Sequence, residues 1–229
     1  MKISALANLR NKRIYSIEGN IGAGKSTLLK LIGKSINDIE FVEEPLGNWE
    51  NLGGESLLKK FYEDPIRWGY SFESYSMYSK VEALIKASKT EKPIIMVERS
   101  LLSNKVFFDI SSSLGKLDEM EYQMLLTNYD FYINHLYPKL SGIIYLRTPL
   151  EECVRRIKKR SRSGEEEIDR GYLKILDDKF SDFLDNCKIP KLDIVETYDI
   201  NNPANVMKKI SDFMHPKKEQ EDKENSRVN

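Results

Sequence analysis

Residues 19–27 read Gly19-Asn20-Ile21-Gly22-Ala23-Gly24-Lys25-Ser26-Thr27. The pattern is G-x-x-x-x-G-K-[ST], with a further glycine at 22. A β-prone run, 14–18, precedes it, and Leu28, Leu29, Leu31 and Ile32 follow at helical spacing. That order predicts strand, glycine-rich turn, helix. Glycine lets the backbone curl until successive N–H groups face inward, and the helix beginning near Lys25 adds its positive end to the same hollow. Such a hollow holds phosphate. Lys25 can reach the β and γ phosphates, and the Ser26 hydroxyl can take a place on Mg²⁺. A glycine-rich turn that matched by chance would lack this flanking strand and helix.

The chain has 229 residues, enough for one well-buried α/β core, and a single domain over 1–214 is expected. Lys plus Arg and Asp plus Glu are both 36, so the net charge is zero. No broadly basic nucleic-acid binder is expected from that balance. No apolar run approaches the roughly 20 residues that span a bilayer, so no membrane partner is expected either. Cys153 and Cys187 lie far apart without C-x-x-C spacing, which argues against a disulfide framework or zinc site. Reduced thiols suit a cytoplasmic setting, with a nuclear one also open. The stretch 1–13 has basic residues and no acidic ones, but leads straight into the first strand, so mitochondrial targeting is not expected. From His215 the composition is charged and polar, and 215–229 is expected to be a disordered tail. His135 and His215 have no partner at a telling spacing.

Further along, 39–43 reads as a second strand ending in Glu43-Glu44-Pro45, where Pro45 biases Glu44 away from helix. The stretch 47–55, containing Trp49, reads as loop. A short helix over 57–62 stops at Asp64-Pro65, and a longer aromatic one covers 66–89. Aromatic residues on a helix are more often core than binding surface. A third strand, 93–97, delivers Glu98-Arg99-Ser100. Helices over 103–112 and 118–136, a strand over 142–146 and a helix over 150–160 follow. The polar stretch 161–167 reads as mobile, before a helix over 172–186, a strand over 192–195 and a last helix over 203–214. Strands alternating with helices predict an α/β fold: a five-stranded parallel sheet with helices on both faces.

Three strand ends therefore meet on one rim, where ligands sit in open parallel sheets. Phosphoryl transfer needs the attacking and leaving oxygens held in line and the equatorial charge neutralised. Glu98 is placed for the Mg²⁺ shell, and Arg99 for the acceptor oxygen or the moving phosphoryl group. Glu44 is the candidate base for an acceptor hydroxyl; an exposed loop acid is the plain alternative. The cations Arg155, Arg156, Lys158, Lys159, Arg160 and Arg162 end one helix. They form a solvated terminus, a lid over a triphosphate or, least favoured by the neutral net charge, a nucleic-acid patch.

In order along the chain stand G-N-I-G-A-G-K-S-T at 19–27, Glu44-Pro45 with Trp49 after it, and Phe72-Glu73-Ser74-Tyr75. Glu98-Arg99-Ser100, Ile144-Tyr145-Leu146-Arg147 and Arg160-Ser161-Arg162 follow. The ordered set, spanning nearly all of 14–214, resembles the deoxyribonucleoside kinases: the deoxycytidine, deoxyguanosine and insect multisubstrate enzymes. The resemblance implies a P-loop kinase fold with an Arg-rich lid, and 5′-phosphorylation of deoxynucleosides in nucleotide salvage, with ATP or another NTP as donor and Mg²⁺. By the same resemblance Glu44 activates the 5′-OH and Arg99 helps hold it. Tyr62 and Glu165 bind the 3′-OH, while Trp49, Phe72 and Phe108 enclose the base. Ser26 and Glu98 attend Mg²⁺; Lys25, Arg160 and Arg162 attend the phosphates and Arg156 the donor base. A homodimer and feedback inhibition by a deoxynucleoside triphosphate are also implied.

The chain departs from that family at Glu73, where a Gln usually reads the Watson–Crick edge of the base. A carboxylate only accepts hydrogen bonds, and guanine offers it two adjacent donors. Lys80 lies two helical turns on, placed to neutralise Glu73 or to donate to O6 or N7. Asn104 stands where the cytidine and guanosine enzymes carry Asp. A preference for deoxyguanosine or purines is expected, unless Glu73 and Lys80 pair and leave a broad pocket. Two rival readings share the phosphate loop: a nucleoside monophosphate kinase of the thymidylate-kinase type, and a nucleotide-dependent switch without turnover.

Overall fold

The computed structural model describes residues 3–162, 164–165, 168–195 and 202–216. Of the expected tail, residues 217–229 lie outside the described residues, as do 163, 166 and 167 of the expected lid. Five strands, β1 (Arg13–Glu18), β2 (Ile39–Val42), β3 (Ile94–Glu98), β4 (Gly142–Arg147) and β5 (Lys191–Val195), form one sheet in the order β2-β3-β1-β4-β5. All pairings are parallel, with Ile17 opposite Glu98 on one side and Ile144 on the other. The carboxyl ends of β1, β2 and β3 therefore share one edge, and the loops leaving them converge.

The helices are α1 (Ile3–Arg10), α2 (Lys25–Ser35), α3 (Leu46–Glu50), α4 (Leu57–Glu63), α5 (Pro65–Ala87), α6 (Leu101–Ser113), α7 (Glu119–Phe131), α8 (Leu150–Arg160), α9 (Arg170–Asp185) and α10 (Pro203–Met214). Side chains alternate across the pleated strands, so each face has its own core. Tyr15, Ile17, Met96 and Ile144 meet Leu28 and Ile32 of α2 and Val206 and Ile210 of α10. Ile14, Ile95 and Val97 meet Leu9 of α1 and Leu84 of α5, while Ile143 and Tyr145 meet α6 and α9 through Ile110, Leu173 and Phe180. Strands buried on both faces carry near-continuous apolar runs, as IIMV in β3 does.

Caps set the boundaries. Asp64 accepts from Arg67 N ahead of Pro65 at the start of α5, and Asp118 with Glu121 makes a reciprocal capping box on α7. α8 and α10 have the predicted limits. Other stretches differ. The expected loop over 47–55 begins as α3, because Trp49 is drawn into a buried cluster with Leu57, Leu58, Phe61 and Phe72 that holds a helical turn despite Pro45 and Gly47. The helix expected to run through 136 changes to π-type bonding over Tyr132–Leu136. Among the described residues no helix is long and apolar enough to cross a membrane, and neither Cys153 nor Cys187 is in a disulfide.

Candidate active site

The loop between β1 and α2 is curled by Gly19, Gly22 and Gly24, at φ 150°, 77° and 96°. A Cβ on Gly22 would stand 2.7 Å from the Cys153 carbonyl oxygen, and one on Gly24 2.9 Å from Arg156 Nη1. The left-handed backbone at both positions, and at Gly22 the close approach of the α8 backbone, thus require glycine. Asn20 ties the loop to its neighbour: its Nδ2 donates to Leu173 O at 2.9 Å, and its Oδ1 accepts from Ile21 N at 2.8 Å. Thr148, just beyond β4, donates to Ala23 O at 2.8 Å. Lys25 is buried, with Nζ donating to Asn20 O at 2.9 Å. Burial and the nearby Arg99 outweigh the attraction of Glu44, Glu98 and Glu18, and hold its ammonium down to about 7.

The next two strand ends bring acid and base together. Glu44, 14 % exposed, lies 3.4 Å from Arg99 Nε and 3.7 Å from Lys80 Nζ. Burial pushes its carboxyl up, but Arg99, Lys80, Lys25 and Arg162 together hold it below the usual value. Arg99 adopts φ 59°, rare for a residue with a side chain. Its N–H bonds to Ile17 O, Ser100 N bonds to Glu18 Oε1, and its guanidinium lies 4.9 Å from the centre of the Phe107 ring and 5.4 Å from that of Phe180. Its Nη1 is buried without a hydrogen-bond partner. Such strain and lost bonding cost about 1–3 kcal/mol each and are tolerated where a group is held ready for something else. Ser26 Oγ donates to Glu98 Oε1 at 2.8 Å.

These groups line one end of a cavity of about 680 Å³. Its other end is walled by Trp49, Leu58, Phe61, Phe72, Phe107 and Tyr172. Phe61 stacks on Phe72 with centroids 4.6 Å apart, Trp49 meets Phe72 edge-on at 5.4 Å, and Trp49 Nε1 donates to Ser79. Into this apolar end open four polar residues: Glu73, Ser76, Lys80 and Asn104. Beside the junction stand Tyr62, whose hydroxyl burial and the Glu165 charge push up, and Glu165 itself. Glu165 accepts from Arg160 Nε and Nη2 at 2.9 and 2.6 Å, and from Arg162 Nη1 at 3.2 Å. Arg162 also reaches Glu50 of α3 at 3.2 Å, so the stretch after α8 is clasped across the cavity mouth. A pocket with an anion cradle at one end, a flat aromatic slot at the other and an acid between them suits a phosphate donor and a ring-bearing acceptor.

A sequence model described as deoxynucleoside kinase matches residues 15–220. The chain belongs to the deoxynucleoside kinase family. It is 33 % identical over 224 residues to "Probable deoxycytidine kinase FPV151" of Fowlpox virus (strain NVSL), covering 93 % of each chain. It is 34 % identical over 234 residues to deoxycytidine kinase 2 of Gallus gallus, covering 91 % of this chain and 86 % of that one. To the mitochondrial deoxyguanosine kinase of Xenopus laevis it is 31 % identical over 203 residues, covering 80 % and 76 %. As a deoxynucleoside kinase it is a phosphotransferase that draws on a nucleotide phosphate donor, and the readings as a monophosphate kinase or a switch give way.

Of the residues singled out from sequence, this kinase gathers most around one cavity. Ile21, Gly22, Gly24, Lys25, Ser26, Thr27, Glu44, Trp49, Tyr62, Phe72, Glu73 and Lys80 line it, with Glu98, Arg99, Asn104, Arg156, Arg160, Arg162 and Glu165. Gly19, Asn20 and Ala23 do not reach its wall; they bend the loop and anchor it to α9 and β4. Phe108 is a correction. It is fully buried against Tyr122 and Tyr129, and Phe107, one residue earlier and on another face of α6, lines the cavity instead. Lys80 acts on Glu73 through its charge, which pulls the Glu73 carboxyl down against burial. Its Nζ donates to Asn104 Oδ1 at 3.0 Å and faces Glu44. Tyr172 was missed: it sits at the start of α9, a helix whose other end packs as core, and no spacing marks it. Among the described residues no cluster of three His, Cys, Asp or Glu could hold a metal. Ser26 and Glu98 nevertheless fit Mg²⁺, which takes oxygen ligands, commonly one or two from protein and the rest from phosphates and water.

Proposed function

We propose that the chain transfers the γ-phosphoryl group of ATP, or another NTP, to the 5′-OH of a deoxyribonucleoside. The observation that carries this is the position of Glu44, between the phosphate loop and the aromatic slot and flanked by Arg99. The triphosphate rests on the loop amides and Lys25, with Arg156, Arg160 and Arg162 about it. Trp49, Phe72 and Phe107 take the base, and Tyr62 and Glu165 the 3′-OH. The 5′ oxygen forms its bond to phosphorus as the bond to the β–γ bridging oxygen breaks, and its proton passes to Glu44. Arg99 steadies the oxygen and the equatorial charge. Ser26 and Glu98 would hold Mg²⁺, which when bound neutralises charge on the phosphates.

A deoxynucleoside triphosphate is long enough to fill both ends of one continuous cavity, which supports the expected feedback inhibition. The homodimer is supported by Met120, Met124 and Phe131, large apolar side chains left exposed on α7. For the base, deoxyguanosine is the partner proposed for ionised Glu73. The test is an acceptor panel with ATP. Deoxynucleosides should be phosphorylated and deoxynucleoside monophosphates should not; turnover of monophosphates alone would reverse the assignment.

A further inference from the structure

The phosphate loop and the turn at Arg99 leave neighbouring strands, and one side chain joins them. Glu18 ends β1, directly ahead of Gly19, and is buried. β1 and β3 keep register as far as Ile17 opposite Glu98, and Arg99 N still donates to Ile17 O at 3.0 Å. Arg99, at φ 59°, then turns the chain out of the ladder, and the next N–H meets a side chain: Ser100 N donates to Glu18 Oε1 at 2.8 Å. The left-handed angle of Arg99 therefore lies between two peptides, both fixed from β1. Ser100 is also the N-cap of α6, and its own side chain makes no capping bond. The Glu18 carboxylate satisfies that helix end from outside, where the positive pole of the helix favours it. Resting on the proposed deoxynucleoside kinase reading, we infer that Glu18 is a positioning residue for phosphoryl transfer, holding Arg99 in its left-handed turn so that the guanidinium stays beside Glu44.

Arg99 Nε stands 3.4 Å from Glu44, and its guanidinium rests on Phe107 of α6 and Phe180 of α9. A residue with a Cβ leaves the left-handed region readily unless its neighbours forbid it, and a change in that one φ swings the side chain away from Glu44. Glu98, one residue earlier, is held separately by Ser26, so loss of the Glu18 bond falls on Arg99. Glu18 is not kept for its own stability. Its Oε2 is buried without a hydrogen-bond partner, as are the hydroxyls of Ser16 and Ser100, and a carboxylate oxygen left so is costly to bury. A second effect of Glu18 is its charge, which favours the ammonium groups of Lys25 and Lys80. Two substitutions separate the oxygen from the charge. Aspartate keeps the charge and draws the oxygen back by one methylene; glutamine keeps an acceptor of the same reach without the charge.

The experiment measures kcat, KM for ATP and for the best deoxynucleoside, and melting temperature in the full chain, in Glu18→Asp and in Glu18→Gln. Glu18→Asp should lose about 10- to 100-fold in kcat, the scale of a catalytic group displaced by about an ångström, with both KM values within about threefold of the parent. Glu18→Gln should keep kcat within about threefold of the parent, because the acceptor for Ser100 N is still in place. The split between kcat and KM matters: a bond that merely held the fold together would loosen the ATP cradle, which begins at the next residue, and raise KM for ATP as melting fell. Parental kcat in Glu18→Asp, a loss in Glu18→Gln as large as that in Glu18→Asp, or a rise in KM for ATP matching the fall in kcat overturns this inference alone. Should Glu18→Asp fail to fold, Glu18→Met, with neither acceptor nor charge, repeats the measurement; failure of both to fold makes the bond one of folding alone and overturns the inference. Absence of phosphorylation of any deoxynucleoside by the parent overturns the kinase reading and this inference together.

Discussion

Glu44→Gln is expected to lower kcat by about 10²–10⁴-fold, the usual contribution of a positioned general base, while ATP binding holds within a few-fold. The amide keeps the shape of the side chain and an oxygen for Arg99, but takes no proton. In the parent, four cations outweigh burial and keep the carboxyl ionised below the usual 4.5. The base is therefore ready throughout the neutral range, and the acid limb of kcat should be lost only as pH falls through a value below 4.5. Glu44→Gln should also melt earlier than the parent, since Arg99 and Lys80 would face each other with no carboxylate between them. Turnover and nucleotide binding, measured separately, decide the role. Parental kcat in a correctly folded Glu44→Gln would remove Glu44 from the chemistry.

The features legible from sequence were those that local chemistry dictates. The phosphate loop was visible because left-handed φ at Gly22 and Gly24 and the opening of α2 at Lys25 each leave a mark in residue type. β3 declared itself through a continuous apolar run, and α10 through Asn202-Pro203 at its start. Glu44 was legible because Pro45 fixes where β2 must give way. What escaped depends on packing between distant segments. Phe107 and Phe108 are equally aromatic, and the wall they line is decided by which face of α6 meets Tyr122 and Tyr129 and which meets Phe180. The i,i+7 spacing put Glu73 and Lys80 on one face of α5 correctly. It could not tell that Nζ would be drawn 24 residues along the chain to Asn104. α3 was hidden for a similar reason: Pro45 and Gly47 argue for loop, and the aromatic cluster around Trp49 overrides them.

Lys25→Met should make the protein more stable and much less active. A methionine keeps an unbranched chain of similar length against the loop without an ammonium. In the nucleotide-free protein that ammonium is out of place: its value falls from 10.5 to about 7, so burial and Arg99 outweigh three carboxylates together. A lysine whose value is lowered by folding destabilises the native state wherever it would be protonated unfolded, here by a few kcal/mol near neutral pH. The penalty fades as pH rises toward 10.5. Methionine removes it and gives up one hydrogen bond to Asn20 O, worth about 1 kcal/mol. The melting temperature should therefore rise, and the gain should shrink at alkaline pH. With a triphosphate in the cradle the sign reverses, because the buried ammonium then meets the charge it was held for. Losing a preorganised cation at the transferring phosphoryl should cost about 10²–10³-fold in kcat/KM for ATP. A melting temperature that fell with activity would mean that Lys25 holds the loop together and does not wait for phosphate. A stable variant with parental kcat/KM would mean that the loop amides and the arginines after α8 neutralise the phosphates without it.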